Sequence, residues 1–252
     1  VCVIVDGYSG GLFLAPEFKK RGISCVHVQS DAGIWKKVKP TFDDSPYVKN
    51  IEYQCDLHHC IQELSEFTPL CFLPGTETGV GIADTLAAHY GVFANGTKLS
   101  QARRDKFLMV ERCRESGLFV AKQIKATEVE TIRTWYQTNH LSKVVLKPID
   151  SAGTEDVFLC DSEVSIKQAF TKIYAKDNIL GLPNQAVVAQ EYLQGTEYFL
   201  DTVSLEGEHH FTDIWRYQKR SINGHDFVYD MNDLCGSQYP NIEKLKSYTI
   251  KV

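Results

Sequence analysis

A lysine at the end of a predicted strand, followed closely by small residues, is the first feature of the sequence that could do chemistry. The run VVLKPIDSAGT ends its strand with Lys147. The loop after it contains Ser151, Ala152, Gly153 and Thr154. Small side chains let backbone amides approach an anion, and a lysine adds a compact positive charge. The pattern fits a phosphate site, although taken alone it is more typical of a solvated strand end followed by a turn. It is not a P-loop, because no Gly-Lys-Thr follows.

A second polar segment lies further along the chain, in AVVAQEYLQGTEYFLD. A predicted strand runs into Gln190 and Glu191, continues through Tyr192 and Leu193, and is followed by Glu197 at the start of the next strand. Backbone groups and one polar side chain in such a segment can meet a flat base, and a carboxylate shortly after it can accept hydrogen bonds from ribose hydroxyls. The alternative is an ordinary hairpin.

Three further charged residues are candidates for contacts with reacting groups. Arg216 and Lys219 lie on the predicted strand TDIWRYQKR, where they could neutralise a transferring phosphate or a substrate carboxylate, or simply form a solvated basic face. Glu77 in PGTETG lies at a strand-to-helix turn, where α/β sheets present ligand groups. It could hold a substrate amine or cap the helix.

The elements that must position these residues begin with a parallel α/β pattern. The strand VCVIVD, a Gly-rich turn, a helix and the strand ISCVHVQS are followed by a strand near Tyr47–Gln54 and a helix at about His58–Phe67. The strand LCFL and the helix GIADTLAAHYG complete this part. Strands that alternate with helices predict a small, doubly wound parallel sheet.

The pattern then changes. A charged helical stretch at Ser100–Gly117 precedes the strand FVAKQIKA, a helix at Glu128–Asn139, the strands KVVLKP and VFLC, and a helix at about Ser162–Tyr174. Two long strands follow AVVAQEYL and meet at a tight turn at Glu206–Gly207. Their alternating apolar and polar residues predict an antiparallel sheet with one covered face.

Composition limits the partners. The chain of 252 residues has a net charge of −5, which argues against a surface that coats nucleic acid. No run approaches the roughly 18 apolar residues of a membrane span, so we expect neither a nucleic-acid partner nor a membrane. Several of the eight cysteines lie in apolar runs, which is typical of a reducing cytosol and predicts a cytoplasmic location. A zinc site at Cys55–Cys60 is a weaker alternative, because its spacing fits no common signature.

Two other enzyme classes have partial signatures near the first strand. Gly7–Gly11 matches the G-x-S-x-G pattern of hydrolases around Ser9, but that elbow normally follows several strands. The same turn, with Asp31 after the second strand, suggests a dinucleotide-binding domain, but the G-x-G-x-x-G spacing is absent. Neither pattern is complete.

Together, the motifs resemble the ATP-grasp superfamily, and in particular its amino-acid ligase branch. DGYSGGLFLAPEF, PGTETG, NGTKLSQARRDK, VVLKPIDSAGT, QEYLQGTEYFLD and TDIWRYQK carry the resemblance, which covers nearly the whole chain. It implies an α/β fold with an N-terminal doubly wound domain at 1–97, a linker helix and small α+β lid at 98–190, and an incomplete C-terminal antiparallel-sheet subdomain at 191–252.

The resemblance also implies roles for individual residues. Lys106 and Lys147 would contact ATP phosphates, and the loop Ser151–Thr154 would close over them. Gln190 or Glu191 would meet the adenine amine; many relatives place an acidic residue where Gln190 falls. The remaining base and ribose contacts would come from Tyr192, Leu193 and Glu197, with the Leu193 amide on the ring and Glu197 on the ribose.

The implied activity joins a carboxylate to an amine through an acyl phosphate, at the expense of ATP, with amino-acid-like substrates. Mg²⁺, or Mn²⁺ in its place, would accompany the nucleotide, and its ligands are expected on strands beyond Val252. Small-molecule carboxylates and amines are the expected partners, and a homodimer fits the resemblance. The alternative is a nucleotide-binding module of the same fold without efficient catalysis.

Overall fold

A computed structural model describes residues 1–31, 33–34, 42–151, 154–178, 183–222, 225–236 and 238–252. The chain divides into two compact units, Val1–Leu108 and Met109–Val252. The predicted boundaries after residues 97 and 190 remain predictions. In the described ranges, no helix has both the length and the apolar character needed to cross a membrane.

The first unit contains a four-stranded parallel sheet in the order β3-β2-β1-β4. Its strands are β1 Cys2–Val5, β2 Cys25–Gln29, β3 Tyr47–Glu52 and β4 Cys71–Pro74, and its helices are α1 Leu14–Lys20, α2 Leu57–Leu64 and α3 Val80–Tyr90. Every residue of β1 and β2 is buried, as expected where helices cover both faces of a parallel sheet.

Alternation along β1 divides the core of this unit into two layers. Val3 and Val5 pack in a cluster with residues of α2 and α3, whereas Cys2 and Ile4 pack in a cluster with residues of α1. The doubly wound arrangement expected from the sequence is therefore present, and the α/β fold class is confirmed.

Helix α4 Lys106–Glu115 starts at the end of the first unit and continues into the second. The second unit contains a four-stranded antiparallel sheet in the order β5-β8-β6-β7. Its elements are β5 Gln123–Ala126, α5 Val129–Thr138, β6 Val144–Pro148, β7 Phe158–Cys160, α6 Glu163–Ile173 and β8 Val187–Glu191. One face of this sheet, which we call the lid sheet, packs on α5 and α6 around Ile132, Leu146 and Ile166.

A three-stranded antiparallel sheet, which we call the C-terminal sheet, completes the second unit in the order β11-β10-β9. Its strands are β9 Glu197–Leu205, β10 Glu208–Ile222 and β11 His225–Leu234, followed by α7 Ile242–Thr249. Glu206 and Gly207 have φ of 53° and 84°, and two successive positive φ values are typical of a type I′ hairpin turn. The turn lies where the sequence predicts it.

Candidate functional site

Lys147 lies on the face of the lid sheet that points away from α5 and α6. Its neighbours Leu146 and Pro148 are buried, and Leu146 belongs to the helix-covered core, so alternation directs Lys147 to the other face. There its Nζ donates a hydrogen bond of 3.0 Å to Oε1 of Gln190 on β8. Two residues that the sequence assigns to one nucleotide, one to phosphate and one to base, are thus in direct contact.

Gln190 and Glu191 point to opposite faces of the same strand. Glu191 pairs with Val144, a core residue, and its Oε2 accepts a hydrogen bond of 3.1 Å from the backbone amide of Lys122. Gln190 pairs with Val145 on the face that carries Lys147. Of the two residues that the sequence leaves open for the base amine, only Gln190 shares a face with the lysine.

The serine in the loop after β6 is not exposed to solvent. Ser151 is buried, and its hydroxyl donates a hydrogen bond of 2.8 Å to Glu155. Thr154 has a φ of 58°, in the left-handed region that non-glycine residues seldom adopt. Ala152 and Gly153, the other two residues of the predicted phosphate loop, lie outside the described residues.

The segment between β8 and β9 is solvent-accessible. Leu193 is exposed, and the amide of Tyr192 donates to the carbonyl of Lys143 at 3.3 Å. Glu197 opens β9, where its two carboxylate oxygens accept hydrogen bonds of 2.7 and 2.9 Å from Nζ of Lys219. The predicted ribose ligand is therefore paired with one of the two predicted catalytic cations.

Aromatic rings surround Lys219. Its Nζ lies 4.8 Å from the ring centroids of both Tyr217 and Tyr229, within the range of cation–π attraction. Burial raises the pKa of Tyr217, and the neighbouring Tyr229 adds to that rise. Phe199 stacks on Tyr217 at 4.6 Å and continues the aromatic surface.

Arg216 contacts a different set of residues on the opposite face of β10. Three positions separate it from Lys219, and alternation puts such residues on opposite faces. Its Nε donates to Asp233 at 3.0 Å, and Gln218 donates to the same carboxylate oxygen at 2.7 Å. Hydrogen bonds from Arg216 and Gln218 hold the pKa of Asp233 below its ordinary value. A small ligand on one face of the C-terminal sheet would reach only one of the two cations.

The remaining predicted site residues belong to the first unit. The carboxylate of Glu77, in a 3₁₀ turn at the end of β4, forms an ion pair with Arg104. Lys106 opens α4, where the side chain of Asp105 accepts hydrogen bonds from the amides of Phe107 and Leu108 at 2.8 and 2.9 Å. Arg104 was not singled out from the sequence, although it lies in the quoted motif NGTKLSQARRDK.

Comparison with known proteins shows which proteins this chain resembles in sequence and in fold. No protein-family model matches the chain. Dapdiamide A synthase from Enterobacter agglomerans is 33% identical over 264 residues, which cover 100% of this chain and 60% of that protein. The crystal structure of the L-amino acid ligase from Bacillus licheniformis superposes with a TM-score of 0.72 at 14% identity, over 99% of this chain and 58% of the ligase.

A third structure is the biotin carboxylase domain of the 2-oxoglutarate carboxylase from Hydrogenobacter thermophilus, solved with MgADP, ADP and bicarbonate. It superposes with a TM-score of 0.70 at 13% identity, over 99% of this chain and 56% of that domain. The chain has the ATP-grasp fold. The resemblance to the ATP-grasp superfamily is thereby confirmed at the level of the fold.

The similarity covers nearly all of this chain but only part of each similar protein. The chain spans about 60% of the length of the curated relative and of these ATP-grasp structures. The motifs quoted from the sequence therefore map to the part of an ATP-grasp enzyme that this chain covers. These comparisons show the fold of this chain and not the activity of a whole ligase.

Proposed function

We propose that the protein is an ATP-dependent ligase that joins a carboxylate to an amine through an acyl phosphate. The contact between Lys147 and Gln190 carries the proposal, because it brings a phosphate-binding cation and a base-binding amide together on one face of the lid sheet. The similarity to dapdiamide A synthase over the whole chain supports the same class of reaction, and the fold shared with an L-amino acid ligase agrees with amino-acid-like substrates.

In this proposal Lys147 and Lys106 bind the phosphates of ATP, and the loop Ser151–Thr154 closes over them. The carbonyl oxygen of Gln190 accepts a hydrogen bond from the adenine amine, and the backbone of Tyr192 and Leu193 borders the ring. Glu197 binds the ribose hydroxyls, held in place by its ion pair with Lys219. Glu77 holds a substrate amine, which would compete with Arg104 for the carboxylate.

The reaction has two steps. A carboxylate oxygen of the first substrate attacks the γ-phosphorus, the bond to the β,γ-bridging oxygen breaks, and ADP leaves. The amine nitrogen of the second substrate then attacks the acyl carbon, loses a proton, and inorganic phosphate departs as the amide forms. Lysine charges stabilise the transferring phosphoryl group, and exclusion of water protects the acyl phosphate. Lys219 and Arg216 are the proposed catalytic cations. Because they lie on opposite faces of β10, they would contact different groups, one the transferring phosphate and the other the substrate carboxylate.

Mg²⁺, or Mn²⁺ in its place, is proposed to accompany ATP, in line with the MgADP complex of the related biotin carboxylase domain. Within the residues that the structure describes, no group of three or more His, Cys, Asp or Glu side chains is arranged to hold a metal ion. A cytoplasmic location, a homodimer and small-molecule substrates complete the proposal.

The test combines the intact protein with ATP, Mg²⁺ and pairs of amino acids. We expect release of ADP and phosphate that requires both a carboxylate and an amine substrate, and a product one water lighter than the sum of the pair. Hydroxylamine in place of the amine should trap the acyl phosphate as a hydroxamate. Nucleotide binding without turnover for any pair would favour the module without catalysis, and absence of ATP binding would refute the proposal.

A further inference from the structure

A row of four polar side chains crosses the lid sheet and ends at a carboxylate on α4. Lys147 donates to Oε1 of Gln190 at 3.0 Å, and Nε2 of Gln190 donates to Oε1 of Gln123 at 3.5 Å. Nε2 of Gln123 then donates to Oε1 of Glu111 at 2.9 Å. Gln123 and Gln190 are direct cross-strand partners in β5 and β8, so backbone pairing holds the two amides side by side.

The chemistry of the two ends gives this row one direction. A carboxylate can only accept hydrogen bonds, and an ammonium can only donate them. Burial would raise the pKa of Glu111, but hydrogen bonds from Gln123 and Arg114 outweigh that effect and hold the pKa below its ordinary value. Glu111 is thus a carboxylate at neutral pH and draws the NH₂ group of Gln123 toward itself.

The orientation of each amide then follows from its neighbour. With its NH₂ group on Glu111, Gln123 turns its carbonyl oxygen toward Gln190. Gln190 consequently turns its own NH₂ group toward Gln123 and its carbonyl oxygen toward Lys147. If Lys147 turns to a phosphate, Glu111 still fixes the direction from the other end.

We propose that Glu111 and Gln123 are positioning residues that lock the side-chain amide of Gln190 with its carbonyl oxygen toward the base, and so select a purine with an amino group at C6. The inference rests on the nucleotide site proposed above. Adenine carries a donor at C6 and satisfies this oxygen, whereas guanine carries an acceptor there and opposes it. An acidic residue in place of Gln190 would need no such help, because both of its oxygens accept.

The first experiment measures the affinities of the intact protein for ATP and GTP by calorimetry. Glu111→Gln gives the row an end that can donate or accept, so we expect the ratio of ATP to GTP affinity to fall about fivefold, the value of one neutral hydrogen bond. Gln123→Leu interrupts the row and should lower the ratio to a similar extent. Glu115→Gln is the matched control, since Glu115 lies on the same helix in an exposed pair with Arg112, and should leave the ratio unchanged.

A second experiment separates orientation from general disturbance of the lid. In a Gln190→Glu background, residue 190 accepts whichever way it turns, so Glu111→Gln should no longer lower the ratio. A purely structural role for Glu111 would change the ratio in both backgrounds or in neither. Melting temperatures of all variants identify any that fail to fold. If Glu111→Gln fails to fold, Gln123→Leu takes its place in both backgrounds.

The outcomes distinguish the inference from the proposed function. A preference for ATP in the wild-type protein that falls about fivefold in Glu111→Gln, with no such fall when Glu111→Gln is added to Gln190→Glu, supports the row as the selecting device. Equal affinities for ATP and GTP in the wild-type protein, or an unchanged ratio in Glu111→Gln, would overturn the inference while the nucleotide site stands. Absence of binding of either nucleotide would overturn both.

Discussion

The two sheets of the second unit are stabilised in different ways. The lid sheet packs one face on α5 and α6, and its core includes fully buried residues such as Leu146 and Val187. The C-terminal sheet has only Ile214 buried among the strand side chains that the structure describes. Its faces instead carry cross-strand pairs, such as Lys219 with Glu197 and the stacked rings of Phe199 and Tyr217.

This difference assigns different tasks to the sheets. A sheet fixed by burial on one face can hold polar side chains on the other face at constant spacing, as the lid sheet does for Lys147 and Gln190. A sheet fixed by pairs of polar and aromatic side chains depends on the same groups that a ligand would contact. Changes on the helix-covered face of the lid sheet should therefore act mainly through stability, and changes on its open face mainly through binding. Changes in the cross-strand pairs of the C-terminal sheet should affect both.

The largest expected effect concerns the buried core of the lid sheet. Leu146→Ala removes a fully buried side chain from the lid core and should lower the free energy of unfolding by about 2–5 kcal/mol. Leu205→Ala on β9 is the matched substitution in the C-terminal sheet, where the side chain is 60% exposed, and should cost less than about 0.5 kcal/mol. Urea titration of both variants measures these free energies of unfolding. Similar losses in the two variants would contradict the expected difference between the sheets.

Lys147→Ala should have the next largest effect, on function rather than on the fold. Removal of one preorganised donor that stabilises developing charge typically lowers the rate by about 10²–10³-fold. We therefore expect the stabilisation by millimolar ATP to disappear and ligase turnover to fall by that factor. Thermal melting with and without ATP is the measurement. Lys143→Ala, an exposed lysine just before the same strand, should retain both properties, and ATP stabilisation that survives in Lys147→Ala would contradict the assignment.

Much of the first unit and of the lid could be predicted from the sequence, because short apolar runs alternate there with helical patterns. The predicted strand at Tyr47–Gln54 and helix at Glu128–Asn139 are within two residues of β3 and α5 at each end. The charged stretch Ser100–Gly117 is helical only from Lys106 to Glu115, because Asp105 caps the helix and excludes the residues before it. The run of charged residues does not by itself show which of them caps the helix.

The third strand of the C-terminal sheet shows where sequence reasoning ends. The sequence does not predict β11, because HDFVYDMNDL alternates poorly and its partners on β10 are fixed by tertiary contacts such as Asp233 with Arg216. A register shift between Gln218 and Lys219 also changes which residues face each other. For the candidate site, the sequence singles out Lys147 and Gln190 but not Glu111 and Gln123, because the hydrogen bond between the last two depends on packing between α4 and β5.

A smaller effect separates the two faces of β10. Lys219→Met keeps most of the aliphatic stem but removes the charge that holds Glu197, and should raise the KM for ATP about tenfold, the factor for a difference of about 1.4 kcal/mol. Arg216→Met acts on the opposite face, with Asp233, and should leave that KM within about twofold. Steady-state kinetics of both variants at saturating second substrates checks the difference. Equal increases in KM would mean that the two faces do not act separately.

The smallest expected effect concerns pH. The pKa of Asp233 is depressed by Arg216 and Gln218, so its carboxylate favours the folded state above the pKa of an unfolded Asp, about 4. That contribution is lost as the pH falls through the depressed folded value. The melting temperature of Asp233→Asn should therefore lie below that of the wild-type protein at pH 6, and the gap should narrow below about pH 4. Asp230→Asn, in an exposed pair with Arg220 on the same strands, should change the melting temperature little at pH 6, because exposed ion pairs contribute little. A gap for Asp233→Asn that stays constant from pH 6 to pH 3 would show that the carboxylate does not stabilise this sheet through its charge.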